Sequence, residues 1–239
     1  MARRRFFVDA VHAGAAELRG DDARHLARVL RAEPGQKYEI ADGRSAWLAE
    51  IAETRRDRVV FRVLELVASP ELPVRLTLLA ALFKFDRFEW MLEKVTELGV
   101  ERILPVETQR SEKGLFEASW KRSERWRRIA HEAGQQARRL RAPEILPAVR
   151  FEAALTEAAD SRFFFDEETA PPLVASLPAL RVPGSRVALL VGPEGGWTDP
   201  ERRKACELGW SSVSLGPTVL RAETAAIAAL AVLLNAWCS

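Results

Sequence analysis

Two glycine-containing loops in the last third of the 239-residue chain hold residues whose types and spacing could bind a ligand. In an open α/β sheet, ligands bind beyond the carboxyl ends of the strands, where glycine lets backbone groups approach closely. The first of the two loops, residues 192–196, fits neither the Walker phosphate-binding motif nor GxGxxG. It therefore predicts either a ligand site without a phosphate signature or a tight turn that binds nothing. The first loop follows the apolar run 187–191 and comprises Gly192, Pro193, Glu194, Gly195 and Gly196.

The second loop, residues 215–224, leads into an apolar segment that the sequence predicts to be a helix. Arg221 and Glu223 lie at the start of that helix. Glu223 complements the positive end of the helix dipole, so it is either a terminal charge or a site residue. A cation is unfavourable at the same place, and this makes Arg221 the stronger candidate for chemistry.

A third feature is the excess of positive charge in residues 121–141, which hold eight basic and two acidic residues in a chain of net charge +2. The spacing predicts a helix over residues 119–140 with Trp120, Trp126, Ile129, Ala133 and Leu140 on its apolar side. Such a surface favours a polyanionic partner, although a charged helix can also be merely solvated. A weaker basic cluster near the amino terminus contains residues 3–5, Arg24, Arg28 and Arg31.

The remaining composition excludes several classes of protein. Hydrophobic residues make up 48% of the chain, which is ordinary for a globular protein. Two cysteines and three scattered histidines predict neither a disulfide framework nor a metal site. Neither a signal-peptide core nor an apolar run of membrane-spanning length is evident. These observations predict a soluble cytoplasmic protein without a metal.

The pattern of apolar runs divides the chain in two. Residues 1–70 predict a small antiparallel β unit with strands over 5–8, 37–40, 46–51 and 58–67 and a helix over 21–30 with an aspartate cap. Two prolines within residues 69–73 predict the boundary. Residues 74–239 alternate between strand and helix, which is typical of a mainly parallel α/β sheet. The strands fall at 74–83, 102–106, 162–165, 187–191 and 211–215.

Helix signals support this division. Possible capping boxes join Asp86 with Glu89 and Thr198 with Glu201, and Gly99 is placed to end a helix. The last helix, residues 223–237, has no polar face before Asn235. A helix of this kind exposes an apolar patch in a monomer unless it is buried within its own domain. The pattern therefore favours a dimer, with Ala229 as the partner-facing position.

The two loops and their flanks resemble the knotted SPOUT methyltransferases and, among these, the RsmE family. The second motif reads Leu-Gly-Pro-x-x-Leu-Arg-x-Glu-Thr-Ala over residues 215–225. The resemblance covers nearly the whole chain, with departures at Thr218 and over residues 135–139. Further matches lie at residues 5–8, His25, 29–31, 93–94, 97–100, Pro105, 110–111, 125–126, Gln136, Arg139 and Pro143.

The resemblance implies an enzyme that methylates N3 of a uridine in small-subunit ribosomal RNA with S-adenosylmethionine, as a homodimer and without a metal or a membrane. It implies a PUA-like β-barrel RNA-binding domain in residues 1–70 and a SPOUT domain with a trefoil knot in residues 74–239. Two other functions stay open. One is a ribose 2′-O-methyltransferase of the same superfamily acting on transfer or ribosomal RNA, and the other is a non-catalytic RNA-binding assembly factor.

The resemblance and the chemistry together assign roles to individual residues. Arg221 would stabilise the uracil anion, and Glu223 would remove the N3 proton or anchor the loop. The expected RNA-binding residues are Arg5, Arg24, Arg28, Arg31, Arg110, Arg125, Arg128 and Arg139. The expected cofactor-binding residues are Phe165, Val191, Gly192, Pro193, Glu194, Gly195, Gly196, Leu215, Gly216, Leu220 and Thr224.

Overall fold

The computed structural model describes residues 5–69, 71–168 and 170–238, which form two compact units. The first unit contains the residues up to Glu71 together with His131–Ala142, and the second contains Leu72–Ala130 and the residues from Pro143 onward. Residues 3 and 4 of the basic cluster and Pro70 of the expected linker lie outside the described residues.

The first unit is built on a six-stranded sheet in the order β1-β4-β5-β6-β3-β2. All its neighbouring strands are antiparallel except β1 and β4, and two register shifts between β5 and β6 increase the local twist. Phe6, Leu26, Ile40, Ile51 and Phe61 form its core. The strands are β1 (Arg5–Phe7), β2 (Val11–His12), β3 (Ala15–Arg19), β4 (Lys37–Ala41), β5 (Ala46–Thr54) and β6 (Arg58–Val67).

The helix in this unit differs from the prediction. A short α1 (Gly20–Arg24) continues as one π-helical turn, His25–Val29, and no side chain caps its start. Asp22 instead accepts hydrogen bonds from His131 Nε2 at 2.7 Å and from Gln135 Nε2 at 2.6 Å. The predicted aspartate cap is therefore wrong, because both aspartates lie inside α1 and Asp22 is engaged by residues more than a hundred positions away in the sequence.

Arg5 is a buried structural residue, and its predicted RNA contact is wrong. Its side chain is only 4% exposed and donates to Glu39 Oε2 at 3.0 and 3.2 Å. It also donates to Ser69 Oγ at 2.9 Å and to the backbone carbonyl of Arg138. The guanidinium therefore neutralises a buried carboxylate and is not available to a phosphate.

The second unit is a parallel sheet in the order β10-β8-β7-β12-β11-β13, with β9 also paired to β8. Two apolar clusters cover its faces, one containing residues of α2 and α6 and the other containing Phe151, Trp197, Ala205 and Trp210. The strands are β7 (Val74–Ala81), β8 (Arg102–Glu107), β9 (Glu144–Ile145), β10 (Val149–Arg150), β11 (Ser161–Phe165), β12 (Ser185–Val191) and β13 (Ser211–Val213).

The helices of the chain confirm some sequence signals and correct others. Gly99 follows α2 with φ +90°, as its helix-ending position predicts. Asp86 lies inside α2 and does not cap it, and its expected partner Glu89 instead pairs with Arg122 and Arg125. The later helices are α2 (Phe85–Glu97), α3 (Leu115–Gln136), α4 (Phe151–Ala154), a 3₁₀ turn (Leu173–Ser176), α5 (Asp199–Glu207) and α6 (Ala222–Trp237).

Two expectations about apolar helix positions are wrong. Trp120 is 58% exposed, whereas Trp126 on the same helix is buried against Phe85 and Phe88. Ala229 has no exposed surface, because it packs in the core of its own unit. Within the described residues, no helix is long and apolar enough to cross a membrane. The same residues contain no cluster of histidine, cysteine and carboxylate side chains suited to a metal ion.

The burial of Arg5 predicts a large effect of its removal on stability. Within the described residues, Arg5→Ala leaves the buried carboxylate of Glu39 with only the longer 3.6 Å pair to Arg138, so the loss should approach but not exceed about 3–5 kcal/mol, the cost of an uncompensated buried charge. We expect this loss in urea unfolding followed by fluorescence. The control Arg19→Ala removes an exposed pair with Glu17 and should leave the midpoint unchanged. Equal midpoints for the two variants would contradict the structural role of Arg5.

Candidate active site

An open cleft lies at the carboxyl ends of β11, β12 and β13. It contains about 630 Å³ of empty space, including open solvent at its mouth. The loops after these three strands and the first turns of α6 form its walls. The lining residues are Phe165, Asp166, Glu167, Val191, Gly192, Pro193, Trp197, residues 214–220, Ala222 and Ala225.

The structure brings together most, but not all, of the residues expected at the site. Thr224, Arg221 and Glu223 do not line the cleft, and neither do Glu194, Gly195 and Gly196. The sequence reasoning missed the side chains of Asp166, Glu167 and Trp197. The acidic run directly after a buried strand was the available signal for the first two. Those of the expected residues that line it are Phe165, Val191, Gly192, Pro193, Leu215, Gly216 and Leu220.

Trp197 fixes the glycine loop against the sheet. Its indole is fully buried, stacks near Phe164 with ring centroids 4.6 Å apart, and donates from Nε1 to the Phe165 carbonyl at 2.8 Å. A Cβ atom at Gly192 would come within 2.8 Å of this ring. Glycine is required there because the backbone passes directly over a rigid aromatic side chain.

The far end of the same loop is held by neighbouring side chains. Arg110 Nη1 donates to the Gly195 carbonyl at 2.8 Å, and Glu194 pairs with Arg87. Gly196 has φ +70°, and a Cβ there would lie 2.1 Å from Glu167 Oε1. The residues at this end therefore shape the loop, while the earlier part lines the cleft.

The predicted capping box at the start of α5 is confirmed. Glu201 Oε2 accepts from the Thr198 backbone N–H at 2.9 Å, and its other oxygen accepts from the Gln109 N–H at 2.8 Å. This buried carboxylate therefore joins the end of the glycine loop to the residues that follow β8. The capping interaction satisfies helix donors that would otherwise be unpaired.

Arg202 binds the wall of the cleft that follows β11. Its Nε donates to both Asp166 oxygens at 3.0 and 3.1 Å, and its other nitrogens reach Glu167, Glu168, Asp199 and the Trp197 carbonyl. Burial alone would lower the pKa of Arg202, but the bonds to Asp166 and the nearby carboxylates raise it above its ordinary value. Arg202 therefore stays charged and ties the loop after Phe165 to α5.

Arg221 and Glu223 occupy different environments although they are two residues apart. Arg221 is the first residue before α6, is exposed, and has no hydrogen bond or ion pair from its side chain to any described residue. Glu223 is only 6% exposed, and its Oε2 has no partner among the described residues. Arg221 is thus free to meet a substrate, whereas the role of Glu223 as a base has no support in this geometry.

The expected RNA-binding residues also divide into free and engaged groups. Arg128 is exposed without an ion pair within the described part of the chain, and Arg28 and Arg31 are exposed as well. Arg125 donates from Nε to Glu89 at 2.8 Å, so part of its charge is already neutralised. Arg24 pairs with Asp21, and Arg139 is half-buried. The charges of Arg24 and Arg125 are therefore partly neutralised within the chain, and the RNA contacts of these arginines stay a prediction.

Comparison with known proteins agrees with this architecture. Residues 70–234 match the family model described as an RNA methyltransferase domain, and residues 18–64 match an RNA methyltransferase PUA domain. The α/β class and the PUA-type first unit are thereby confirmed. The structure itself has a mainly antiparallel sheet in the first unit and a parallel sheet in the second.

Relatives and solved structures extend the likeness along the chain. The ribosomal RNA small subunit methyltransferase E of Bacillus subtilis is 31% identical over 88% of this chain and 86% of its own length. The Synechocystis protein of the same name is 34% identical, with 87% and 68% covered. The Neisseria gonorrhoeae enzyme bound to S-adenosylmethionine has a TM-score of 0.87 at 30% identity, covering 99% and 98%. A Legionella pneumophila protein with the same cofactor bound gives 0.88 at 30% identity, again covering 99% and 98%.

The sheet, the cleft at its carboxyl edge and these similarities along almost the full length lead to one conclusion: the chain belongs to the ribosomal RNA small subunit methyltransferase E family.

Proposed function

We propose that this protein transfers a methyl group from S-adenosylmethionine to N3 of a uridine in small-subunit ribosomal RNA. The observation that carries the proposal is the cleft of β11, β12 and β13 with the unpaired Arg221 between two lining residues, Leu220 and Ala222. The relatives named as small-subunit ribosomal RNA methyltransferases support the substrate, and the cofactor-bound neighbours support the methyl donor.

The chemistry of the cleft fits a positively charged ligand. Its lining contains the carboxylates Asp166 and Glu167 and, among the described residues, no lysine, arginine or histidine. A phosphate-bearing cofactor would meet no cation there, whereas a sulfonium meets no repulsion. Backbone groups at Val191, Leu215 and Leu220 would meet the adenine edge. The other proposed contacts are Phe165, Gly192, Pro193 and Gly216, which line the cleft, whereas Glu194, Gly195, Gly196 and Thr224 do not and are no longer proposed as contacts.

Arg221 would act on the nucleotide rather than on the cofactor. The cofactor supplies a methyl group on a sulfonium, which is transferred by direct displacement and needs no metal. A uracil N3 that still holds its proton is a poor nucleophile, so that proton must pass to solvent water at the open cleft. The site must then favour the remaining anion, whose charge is spread over the two carbonyl oxygens. The guanidinium of Arg221 beside those oxygens would stabilise that charge, and positioning would supply the remainder.

The domain roles complete the proposal. Residues 1–70 would form a PUA-like β-barrel that binds RNA, and residues 74–239 would form the SPOUT domain with its trefoil knot. The match of residues 18–64 to a PUA domain supports the first assignment, and the parallel sheet supports the second. Cytoplasmic localisation follows from ribosomal RNA as the substrate.

The reaction is tested by incubating the protein with S-adenosylmethionine and small-subunit ribosomal RNA. Nuclease digestion and mass spectrometry should detect a uridine methylated on the base at N3. A product methylated on the ribose would support the 2′-O-methyltransferase alternative. RNA binding without any methylated product would support the non-catalytic assembly factor.

Arg221→Ala should lower single-turnover methylation by about 10²–10³, since removal of one charge-stabilising donor typically costs this much. Cofactor affinity, measured by calorimetry, should stay unchanged because Arg221 does not line the cleft. The matched control is Arg203→Ala, which removes an exposed arginine from α5. A mutant rate equal to that of the wild type would rule out the proposed role.

The proposed RNA surface includes the outward side of α3. Lys121, Arg125 and Arg128 are spaced four and three residues apart, so they share one face of the helix, and all three are exposed. Of these, Lys121 and Arg128 have no ion pair to any described residue, whereas Arg125 is held by Glu89. The first two are therefore the better candidates for phosphate contacts.

Reversing Lys121 and Arg128 to glutamate should weaken RNA binding and flatten its salt dependence. Each neutralised phosphate contributes about 0.7–0.9 to the slope of log K against log salt, so two lost contacts remove about 1.5. Fluorescence anisotropy over a salt series measures the slope. The double reversal of Arg75 and Arg203, which are exposed on other elements, is the control. Equal slopes in both double variants would place the RNA elsewhere.

A homodimer is proposed from the outer face of α6. Ile227 and Ala228 are half-buried and Ala231 is exposed, so within the described residues this face of α6 is apolar and only partly covered. A two-fold interface repeats one patch on both subunits, and a single charge therefore enters it twice. The exposed Ala231 replaces Ala229 as the position to test.

Light scattering at micromolar concentration should give a mass of two 26.8 kDa chains. Ala231→Glu should give monomers, because each subunit would bring an unpaired charge into an apolar contact. Ala179→Glu alters an exposed alanine outside the helices and should leave the mass unchanged. A wild-type mass of one chain would exclude the dimer.

A further inference from the structure

Glu167 is a carboxylate of the cleft to which neither the motifs nor the proposed mechanism gives a role. It lies two residues beyond the end of β11. In the sheet β11 is next to β12, and Phe165 at the end of β11 pairs in parallel register with Val191 at the end of β12. Its side chain is 35% exposed and lines the cleft. Glu167 therefore stands beside the glycine loop, at the end of the neighbouring strand.

The carboxylate of Glu167 is held in one place from two sides. Arg202 Nη2 donates to Oε1 at 2.9 Å, and the missing side chain of Gly196 leaves room for that oxygen. Arg202 is itself fixed by both oxygens of Asp166 and by the Trp197 carbonyl. An exposed glutamate normally samples many rotamers, but this one is fixed before a ligand arrives.

The second carboxylate oxygen of Glu167, Oε2, can still accept a hydrogen bond. Within the described residues, Oε2 receives no hydrogen bond. A carboxylate in this state is an acceptor only, so its ligand must bring a donor. Hydrogen bonds from hydroxyl groups to an ionised carboxylate are short and about twice as strong as neutral ones. The position therefore suits a hydroxyl-bearing part of a ligand in the cleft.

Two groups of the proposed cofactor could bind this carboxylate: the ribose hydroxyls and the positively charged groups of the methionine part. Arg202 pairs with Oε1 of Glu167, but its single charge is shared with Asp166, Glu168 and Asp199, so it offsets only part of the negative charge at this wall of the cleft. In other open α/β sheets, an acidic residue at the end of a strand likewise binds ribose hydroxyls. The unused acceptor Oε2 and this strand-end position favour the hydroxyl groups, and the comparison of a charged with an uncharged ligand tests that choice.

We propose that Glu167 accepts hydrogen bonds from the ribose hydroxyls of the cofactor and that Arg202 is the positioning residue that holds it at Gly196. The inference rests on the proposed S-adenosylmethionine site. It adds a binding residue that selects the sugar part of the cofactor and a second residue that acts through the first.

The test compares two ligands that share the ribose but differ in charge at sulfur. Calorimetry measures the affinity of S-adenosylmethionine and of S-adenosylhomocysteine for the wild type, Glu167→Ala and the matched control Glu168→Ala. Glu167→Ala should weaken both ligands alike, by about tenfold to a hundredfold, which is the usual effect of losing a hydrogen bond to a charged group. Glu168→Ala should weaken both ligands far less than Glu167→Ala, since Glu168 does not line the cleft and meets Arg202 from the solvent side.

The outcomes separate the inference from the function on which it rests. If the wild type binds neither ligand, the proposed cofactor is wrong. If the wild type binds both and Glu167→Ala weakens only the sulfonium ligand, Glu167 acts through charge and the ribose assignment is overturned. Unchanged affinity of both ligands in Glu167→Ala overturns it as well.

Arg202 is tested by its dependence on Glu167. Arg202→Lys cannot form the same fork of bonds, so it should weaken the cofactor severalfold and leave the rate at saturating cofactor unchanged. In the Glu167→Ala background, the same change should cost little further affinity, because its target is gone. Additive losses would show that Arg202 acts on the cleft by another route, and thermal unfolding separates any loss of stability.

Discussion

The cleft depends on the buried indole of Trp197. This one ring packs on Phe164, bonds the carbonyl that ends β11, and lies under Gly192 at the end of β12. It therefore fixes the separation of two adjacent strand ends from a single point in the core. A loop anchored in this way keeps its backbone groups oriented without a ligand, which lowers the entropy lost when a ligand is ordered. The glycine at residue 192 follows from this contact as a steric requirement.

Charge is distributed within the second unit according to the ligand expected at each surface. The cleft carries carboxylates and, in the described part of the chain, no cationic lining, whereas α3 displays Lys121 and Arg128 outward. A cationic cofactor and a polyanionic RNA make opposite demands, and one mixed surface would serve neither. The formal net charge of +2 conceals this arrangement, because the 36 basic and 34 acidic residues of the whole chain nearly cancel. Local placement therefore says more about partners than net charge does.

Features that depend on near neighbours in the sequence were predictable, and features that depend on distant partners were not. Gly99 and the Thr198 capping box are set by a few adjacent residues, and the parallel sheet follows from alternating elements. The burial of Arg5 depends on Glu39, 34 positions away, and the position of Glu167 depends on Arg202, 35 positions away. Ala229 was misplaced for a related reason: an almost wholly apolar helix does not show which face its own core covers.

The start of α6 shows how one helix end separates two charges. Each helical residue turns by about 100° from the last, so nearby positions can face solvent and core. The buried Glu223 lies near the positive end of the helix dipole, which partly compensates a carboxylate whose Oε2 has no described partner. Arg221 has no such compensation, and the same dipole disfavours it. Arg221 is exposed and, among the described residues, unpaired beside the cleft. An interaction of its positive charge with the substrate best explains a cation at this unfavourable position. The structural cost of Arg221 therefore agrees with a role in catalysis, and the burial of Glu223 agrees with a role in shaping the helix that carries it.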